Sequence, residues 1–512
     1  MNAVEAYRRL EERSWRVALL GSVAGVLGWD QQVNLPARGG EFRAKQLAEI
    51  SRIEHLAWVD KEVGEWLERA CGEGVEELAA GVGKSVSVVA GNLREWQRRW
   101  KRKVVLPERL VEELAEAGAR GFEAWVEARK EASFALFLPS LQRILELVQE
   151  KADRWVEAGL ARGRYDALLD EYEVGLGEEE ALALLEPMVA ELRELVVVGE
   201  EVCEKGKGGV PSGPYPVSAQ VALNREVAAA VGFDFGRGRL DCSPHPFCSS
   251  LGPEDVRLTT RYDEGDFTSS LFGVLHEVGH GLYELGLDKE EYGTPAGEAI
   301  SLGVHESQSR LWENCVGRSL EFWERWLPVA RQYFPQLKKA TPEGVWRHVN
   351  RVERGFVRVE ADEVTYDLHV ILRFRIERLL IKGELSAEDL PAAWNDAFLE
   401  LFGKKVPNDA VGCLQDVHWS GGGFGYFPTY TLGNVYAANL FAAARRDISG
   451  LEEKLRLGDY GCLLEWLRQK VHRWGSTKVP RELIELACGA SIDLGVHVGR
   501  LREKVLKLDK IV

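Results

Sequence analysis

Residues 141–156 read LQRILELVQEKADRWV. Leu141, Ile144, Leu145, Val148, Ala152 and Trp155 recur there at steps of three and four. On a helix of 3.6 residues per turn these side chains form one apolar stripe, so the segment predicts an amphipathic helix laid against a core. Segments 1–28, 107–130, 178–204, 363–382 and 386–402 carry the same period. Strand signal is scarce. Its best instance is 255–262 (DVRLTTRY), where Val256, Leu258, Thr260 and Tyr262 alternate with Asp255, Arg257, Thr259 and Arg261. The fold class that follows is all-α, with a small β element just ahead of the motif that carries the chemistry.

The whole chain has 512 residues, 45% of them hydrophobic, which suits a folded globular protein and excludes wholesale disorder. Its 65 basic and 81 acidic residues give a net charge of −16, so a polyanion such as nucleic acid is not an expected partner. The eight cysteines are scattered without any CxxC, which is neither a disulfide framework nor a zinc-finger pattern and fits a reducing cytoplasm. Residues 17–29 (VALLGSVAGVLGW) resemble a signal segment, but Glu5, Glu11 and Glu12 precede them and no small-residue cleavage site follows. A buried helix is expected there. Residues 417–444 carry no Asp, Glu, Lys or Arg, yet they are broken by Gly, Ser, Asn and Pro. They predict a neutral, Gly-rich loop entering a helix, and no membrane span. Residues 205–217 (KGKGGVPSGPYPV) break any helix. They predict one domain over 1–512 with a helical lobe at 1–204 and a metal- and substrate-binding region at 205–512.

Residues 276–280 read HEVGH. On a helix His276 and His280 share a face, so both imidazoles reach one ion, and Glu277 reaches a water beside it. That is the pattern of a hydrolytic zinc site, in which the ion acidifies water and the Glu takes the proton. Asp266, Thr268 and Ser269 are the candidate N-caps. A catalytic zinc needs a third protein ligand. Residues 300–313 (ISLGVHESQSRLWE) predict a second helix from Ile300 to Trp312, and Glu306 lies 26 residues after His280. His305 and Glu298 are rivals for the third position. His305 and Glu306 point about 100° apart on a helix, so only one faces the ion, and periodicity does not choose.

Six motifs occur in order: HPF at His245–Phe247, DVRLT at Asp255–Thr259, HEVGH, HESQ at His305–Gln308, VRVEAD at Val357–Asp362 and GCLQDVHW at Gly412–Trp419. The series resembles the thermostable carboxypeptidase Taq family of zinc metallocarboxypeptidases, from WDQQVNLP near residue 29 to GYFPTY near 430. Val357 stands where that family often has Ile, a conservative change. The resemblance implies Glu306 as third ligand and Glu277 as general base. It implies a two-lobed helical fold with a deep central groove, similar to neurolysin. It also implies a homodimer that removes single residues from peptide C-termini with broad side-chain tolerance, with Zn2+ in the site and Co2+ able to replace it.

Peptide hydrolysis passes through an oxyanion that a protein donor helps to stabilise. Residues 418–430 (HWSGGGFGYFPTY) offer His418, Tyr430 and Tyr426, with Tyr430 preferred of the two tyrosines. An exopeptidase must also hold a terminal carboxylate, which a planar guanidinium does with two parallel hydrogen bonds. Arg358 is the first candidate and Arg257 the second. The stretch 351–362 (RVERGFVRVEAD) is expected to be helical, with Arg351, Arg354 and Arg358 on one face. Gln415 is expected to orient the substrate end, and His245 to stand behind the ligands or in a loop. The competing readings are an oligopeptidase that cuts internal bonds or releases dipeptides, and a non-catalytic helical peptide-binding scaffold with a structural zinc. Glu277 argues against the scaffold, since a structural site has no use for a base.

Overall fold

The computed structural model describes residues 1–205 and 209–510. Its secondary structure is predominantly helical, with one three-stranded sheet among the described residues. The chain forms two compact units. The first comprises Met1–Lys103, Gly208–Val349 and Tyr436–Ile492, and the second Val104–Lys207, Asn350–Val435 and Asp493–Val512. The expected lobes, 1–204 and 205–512, each contribute segments to both units. Residues 206–208 of the expected 205–217 loop lie outside the described residues; 209–216 are non-helical, and a helix resumes at Val217.

The first unit opens on helix Ala3–Val33, started by a capping box between Asn2 and Glu5. Tyr7 and Leu10 on this helix pack with Val63, Leu67 and Trp96 in a buried cluster. Residues 17–29 are helical as expected, but they are not buried. Only Trp29 is enclosed, while Leu19, Val23 and Val26 are 40%, 51% and 37% exposed. This stretch packs on one side only, where the Ser22 hydroxyl donates to the Leu251 carbonyl. Val17 packs against the buried cluster, while Leu19, Val23 and Val26 are left facing outward.

Strands β1 (Gly238–Cys242), β2 (Cys248–Gly252) and β3 (Asp255–Thr260) form a sheet in the order β1-β3-β2. β3 runs parallel to β1, with Leu240 opposite Leu258, and antiparallel to β2. The expected strand thus ends two residues early. Val256, Leu258 and Thr260 are buried, as the alternation requires. Thr259 breaks the alternation because its hydroxyl accepts from the Ser243 hydroxyl at 2.7 Å and from the Phe247 amide at 3.0 Å. The sheet backs directly onto the HEVGH helix, Phe267–Glu284. A Cβ on Gly281 of that helix would meet Leu258 at 3.0 Å.

The second unit contains helix Leu138–Glu157, and all six stripe residues, Leu141 to Trp155, are buried in it. The long helix Glu363–Lys382 is capped by Asp362, which accepts from the amides of Val364 and Thr365. Its glycine end, Gly383, has φ +75°, a left-handed residue that stops the helix. The expected helix at 351–362 does not form; only Arg358–Glu360 makes a single 3-10 turn. Side chains capture the backbone donors that a helix would use. Arg354 N donates to Glu200 Oε1 at 3.0 Å, Glu353 N to Asp362 Oδ2 at 3.1 Å and Arg358 N to Gln415 Oε1 at 2.9 Å. The three arginines therefore do not share a face.

Candidate active site

The HEVGH helix starts at Asp266, whose side chain accepts from the Thr268 amide at 2.8 Å. His276 and His280 stand one turn apart on it, and Glu306 comes from helix Leu302–Arg310, capped by Ser301. One donor atom from each of His276, His280 and Glu306 lies within 4.8 Å of the others. Oε2 of Glu306 is 3.6 Å from Nε2 of His276 and 3.5 Å from Nε2 of His280. A tetrahedral ion with bonds of about 2.0–2.1 Å spaces its donors about 3.4 Å apart, so two imidazoles and one carboxylate at these separations fit a divalent cation such as zinc.

The surrounding residues hold the three donors in place. His276 Nδ1 is 2.9 Å from Glu313 Oε2. Arg310 Nε donates to Glu306 Oε1 at 2.6 Å, and the Ser309 hydroxyl donates to Glu306 Oε2 at 3.1 Å. Burial alone would raise the Glu306 carboxyl, but Arg310 and the imidazoles overcome it and hold the group well below the usual carboxylate range. Glu313, likewise buried, is brought down to about 2 by His276, Arg310 and Arg318. Glu277 is only 6% exposed. Burial pushes its carboxyl up to about 7, with His276 opposing and Glu306 adding to the rise. The two histidines part company. Burial opposes the charge on both, yet Glu306 and Glu313 raise His276 to about 9, while burial and His305 lower His280 to about 4.

The rival ligands are engaged elsewhere. His305 turns its Nδ1 to Nδ1 of His280 at 2.5 Å, away from the donor triangle. Glu298 pairs with Arg99 at 2.7 Å. Arg257 is held by Asp255 at 2.8 Å and lies over the Trp29 ring at 4.3 Å. His245 is exposed between β1 and β2, and its carbonyl accepts the Ser243 hydroxyl at 2.5 Å.

The second unit gathers the other candidates. Arg358 is 4% exposed; its Nε and Nη2 donate to Asp416 Oδ1 at 3.1 and 2.8 Å, and its Nη1 donates to the Tyr366 hydroxyl at 2.9 Å. Its guanidinium also lies 4.6 Å from the Tyr430 ring centre. Arg373 Nε donates to the other oxygen of Asp416 at 2.6 Å. Gln415 accepts from the Arg358 amide and donates to the carbonyls of Phe356, Val411 and Gly412. Its amide is spent on backbone, so it sets Arg358 and its loop in place. His418, Tyr426 and Tyr430 cluster as expected: Tyr430 OH is 3.4 Å from His418 Nε2, and the Tyr426 ring is 4.9 Å from the imidazole. Burial, with Arg358 and Arg373 nearby, lowers His418 to about 4 against the pull of Asp416, so the ring is neutral at pH 7.

Sequence reasoning missed Glu313, Arg310, Glu284, Arg373, Tyr366 and Glu377, and gave Asp416 no role. Glu313 was within reach, two helical turns beyond Glu306. Glu377 was not: it lies in the middle of a helix, where its carboxylate accepts Trp419 Nε1 at 2.8 Å, the Tyr165 hydroxyl at 2.9 Å and the Gly425 amide at 3.0 Å. It pins both ends of the Gly-rich loop.

Known proteins are similar to this chain in sequence and in fold. The family model described as carboxypeptidase Taq (M32) metallopeptidase matches residues 9–505. Thermostable carboxypeptidase 1 of Thermus thermophilus is 43% identical, over 99% of this chain and 100% of that protein. The M32 carboxypeptidase structure from Deinococcus radiodurans superposes with a TM-score of 0.91 at 36% identity, covering 99% of this chain and 100% of that one. Metallocarboxypeptidase 1 of Trypanosoma cruzi gives 0.92 at 34% identity, with 98% and 99% covered. A match of this extent in both sequence and structure means that the chain belongs to the carboxypeptidase Taq (M32) metallopeptidases and is an enzyme of the metallocarboxypeptidase class.

Proposed function

We propose that this enzyme is a zinc-dependent carboxypeptidase that releases single residues from peptide C-termini with broad side-chain tolerance. The observation that carries the reading is the triangle of His276, His280 and Glu306 donors beside a buried Glu277. Zinc, with cobalt as a substitute, supplies Lewis acidity when bound there: it polarises the scissile carbonyl and makes water a stronger acid. Glu277 takes the proton from the attacking water and passes it to the leaving amine. Burial raises this carboxyl, which makes it a stronger base toward the water. His418 is a neutral donor, and Tyr430, within reach of it, is the preferred partner for the developing oxyanion, with Tyr426 second.

Arg358 is the proposed anchor for the substrate carboxylate. Arg358 and Arg373 share one carboxylate, Asp416, so this buried group of three carries one surplus positive charge. A peptide's terminal carboxylate is the complement of that charge. A homodimer, as the family resemblance implies, in a reducing cytoplasm, as the scattered cysteines suggest, completes the proposal. No helix among the described residues is long and apolar enough to cross a membrane.

The test is an N-blocked peptide followed by mass. Loss of one C-terminal residue at a time supports the proposal. An internal cut or dipeptide release replaces it with an oligopeptidase, and an untouched peptide in the presence of zinc overturns it.

A further inference from the structure

We propose that Glu284 and His305 form a hydrogen-bonded chain that fixes the ring and tautomer of His280, and that this chain sets how tightly the site holds its ion. The inference rests on His276, His280 and Glu306 being the ligand set. His280 presents Nε2 to Glu306 at 3.5 Å and Nδ1 to Nδ1 of His305 at 2.5 Å. The other nitrogen of His305, Nε2, lies 2.8 Å from Glu284 Oε1. The direction of the chain is set at both ends. An imidazole that gives its Nε2 lone pair to an ion keeps its proton on Nδ1. His280 therefore donates to His305. His305 accepts at Nδ1, which leaves its own proton on Nε2, and an ionised carboxylate can only accept it. The partner ligand His276 is held by the same device in one step, through Glu313 at 2.9 Å.

The placement follows from the two helices. Glu284 is one turn beyond His280 on the HEVGH helix, and His305 adjoins Glu306 on the facing helix. Neighbouring residues thus hold opposite sides of one imidazole. His305, a rival ligand by sequence, serves the ion from behind a ligand.

The test compares zinc affinity, by chelator competition, in wild type, His305→Gln, His305→Leu and Glu284→Ala, with thermal unfolding of each apoprotein. Gln offers an acceptor oxygen and a donor NH2, so His305→Gln should stay within about threefold of wild type. Leu fills space without polar atoms, and Glu284→Ala removes the last acceptor. Each should weaken zinc by about 10- to 100-fold with apoprotein unfolding little changed. Equal affinity in all four proteins overturns the chain alone, as does a Gln variant as weak as the Leu variant, which would mean packing. Wild type that binds no zinc overturns the ligand set and the chain with it. Should His305→Leu not fold, Glu284→Ala decides.

Discussion

Gly279 lets the HEVGH helix touch the backbone at Gln308: a Cβ on Gly279 would lie 2.5 Å from the Gln308 carbonyl oxygen and 2.6 Å from the Ser309 Cα. Backbone cannot step aside as a flexible side chain does. This contact sets the spacing between the helix that carries His276 and His280 and the helix that carries Glu306. Gly279→Ala should push the two helices apart and cost about 1–3 kcal/mol in stability, as overpacking does. Zinc affinity should fall at least about tenfold, since about 1.4 kcal/mol of misplacement suffices for that. Chelator competition and thermal unfolding measure both. A variant that binds zinc as wild type does would show that the helices are not set by this contact.

Glu277→Gln separates the base from the ligands. Gln keeps the shape and volume but cannot take a proton from water. Elemental analysis should show zinc retained. General-base catalysis contributes roughly 100- to 10,000-fold, and kcat should fall by that much. Activity within about fivefold of wild type would remove Glu277 from the mechanism, because no general base is worth so little.

The helical period made most of the fold legible. The stripe from Leu141 to Trp155 is buried as read, because an apolar stripe has one way to leave water. The failures have local causes. At 351–362 the arginine spacing suited a helix, but Asp362 within the stretch and Glu200 and Gln415 from far along the chain bind the backbone amides, and no local pattern announces the last two. At 17–29 apolar residues lie outside, since hydrophobicity fixes what is able to be buried and not how much core there is to bury it. In the site, the HEVGH spacing alone pointed to His276 and His280 as candidate ligands, with the proposed base Glu277 between them. One of its two free positions, Gly279, is not free, and only the packing reveals it. Periodicity did not separate His305 from Glu306; in the structure the His305 imidazole lies at the back of His280.

Glu377 makes a pH-dependent contribution to stability of definite sign. Its carboxyl is pushed up to about 7 by burial, against three hydrogen bonds that favour the charged form. An unfolded Glu titrates near 4.3, so between about pH 4.3 and 7 the folded state binds the extra proton at this group, and the contribution of Glu377 to stability falls as pH rises. Glu377→Gln removes that titration. It also leaves one or two of the Trp419, Tyr165 and Gly425 donors facing an NH2 group. The variant should be less stable at pH 5, and the Tm difference between wild type and variant should shrink toward pH 8. Parallel Tm profiles for the two proteins would show that Glu377 is not the titrating group.

Arg358→Ala tests the exopeptidase reading at its anchor. The substitution leaves Asp416 paired with Arg373, whose Nε stays 2.6 Å away, so no buried carboxylate is stranded and the fold should hold. What disappears is the surplus positive charge. A hydrogen bond between charged partners is worth about 1.5–3 kcal/mol, so kcat/KM on a peptide with a free C-terminus should fall roughly 10- to 150-fold. The decisive comparison sets that substrate against its C-terminal amide. Wild type should strongly prefer the acid, because the amide brings no charge to complement the cluster. The variant should lose activity on the acid and much of the preference. Preference kept in full would move the anchor elsewhere. Arg257 is then next to test, although it already holds Asp255 and lies over Trp29. If wild type cleaves acid and amide equally well, the surplus charge in this cluster has no part in recognition, and an oligopeptidase that ignores the terminus becomes the better reading.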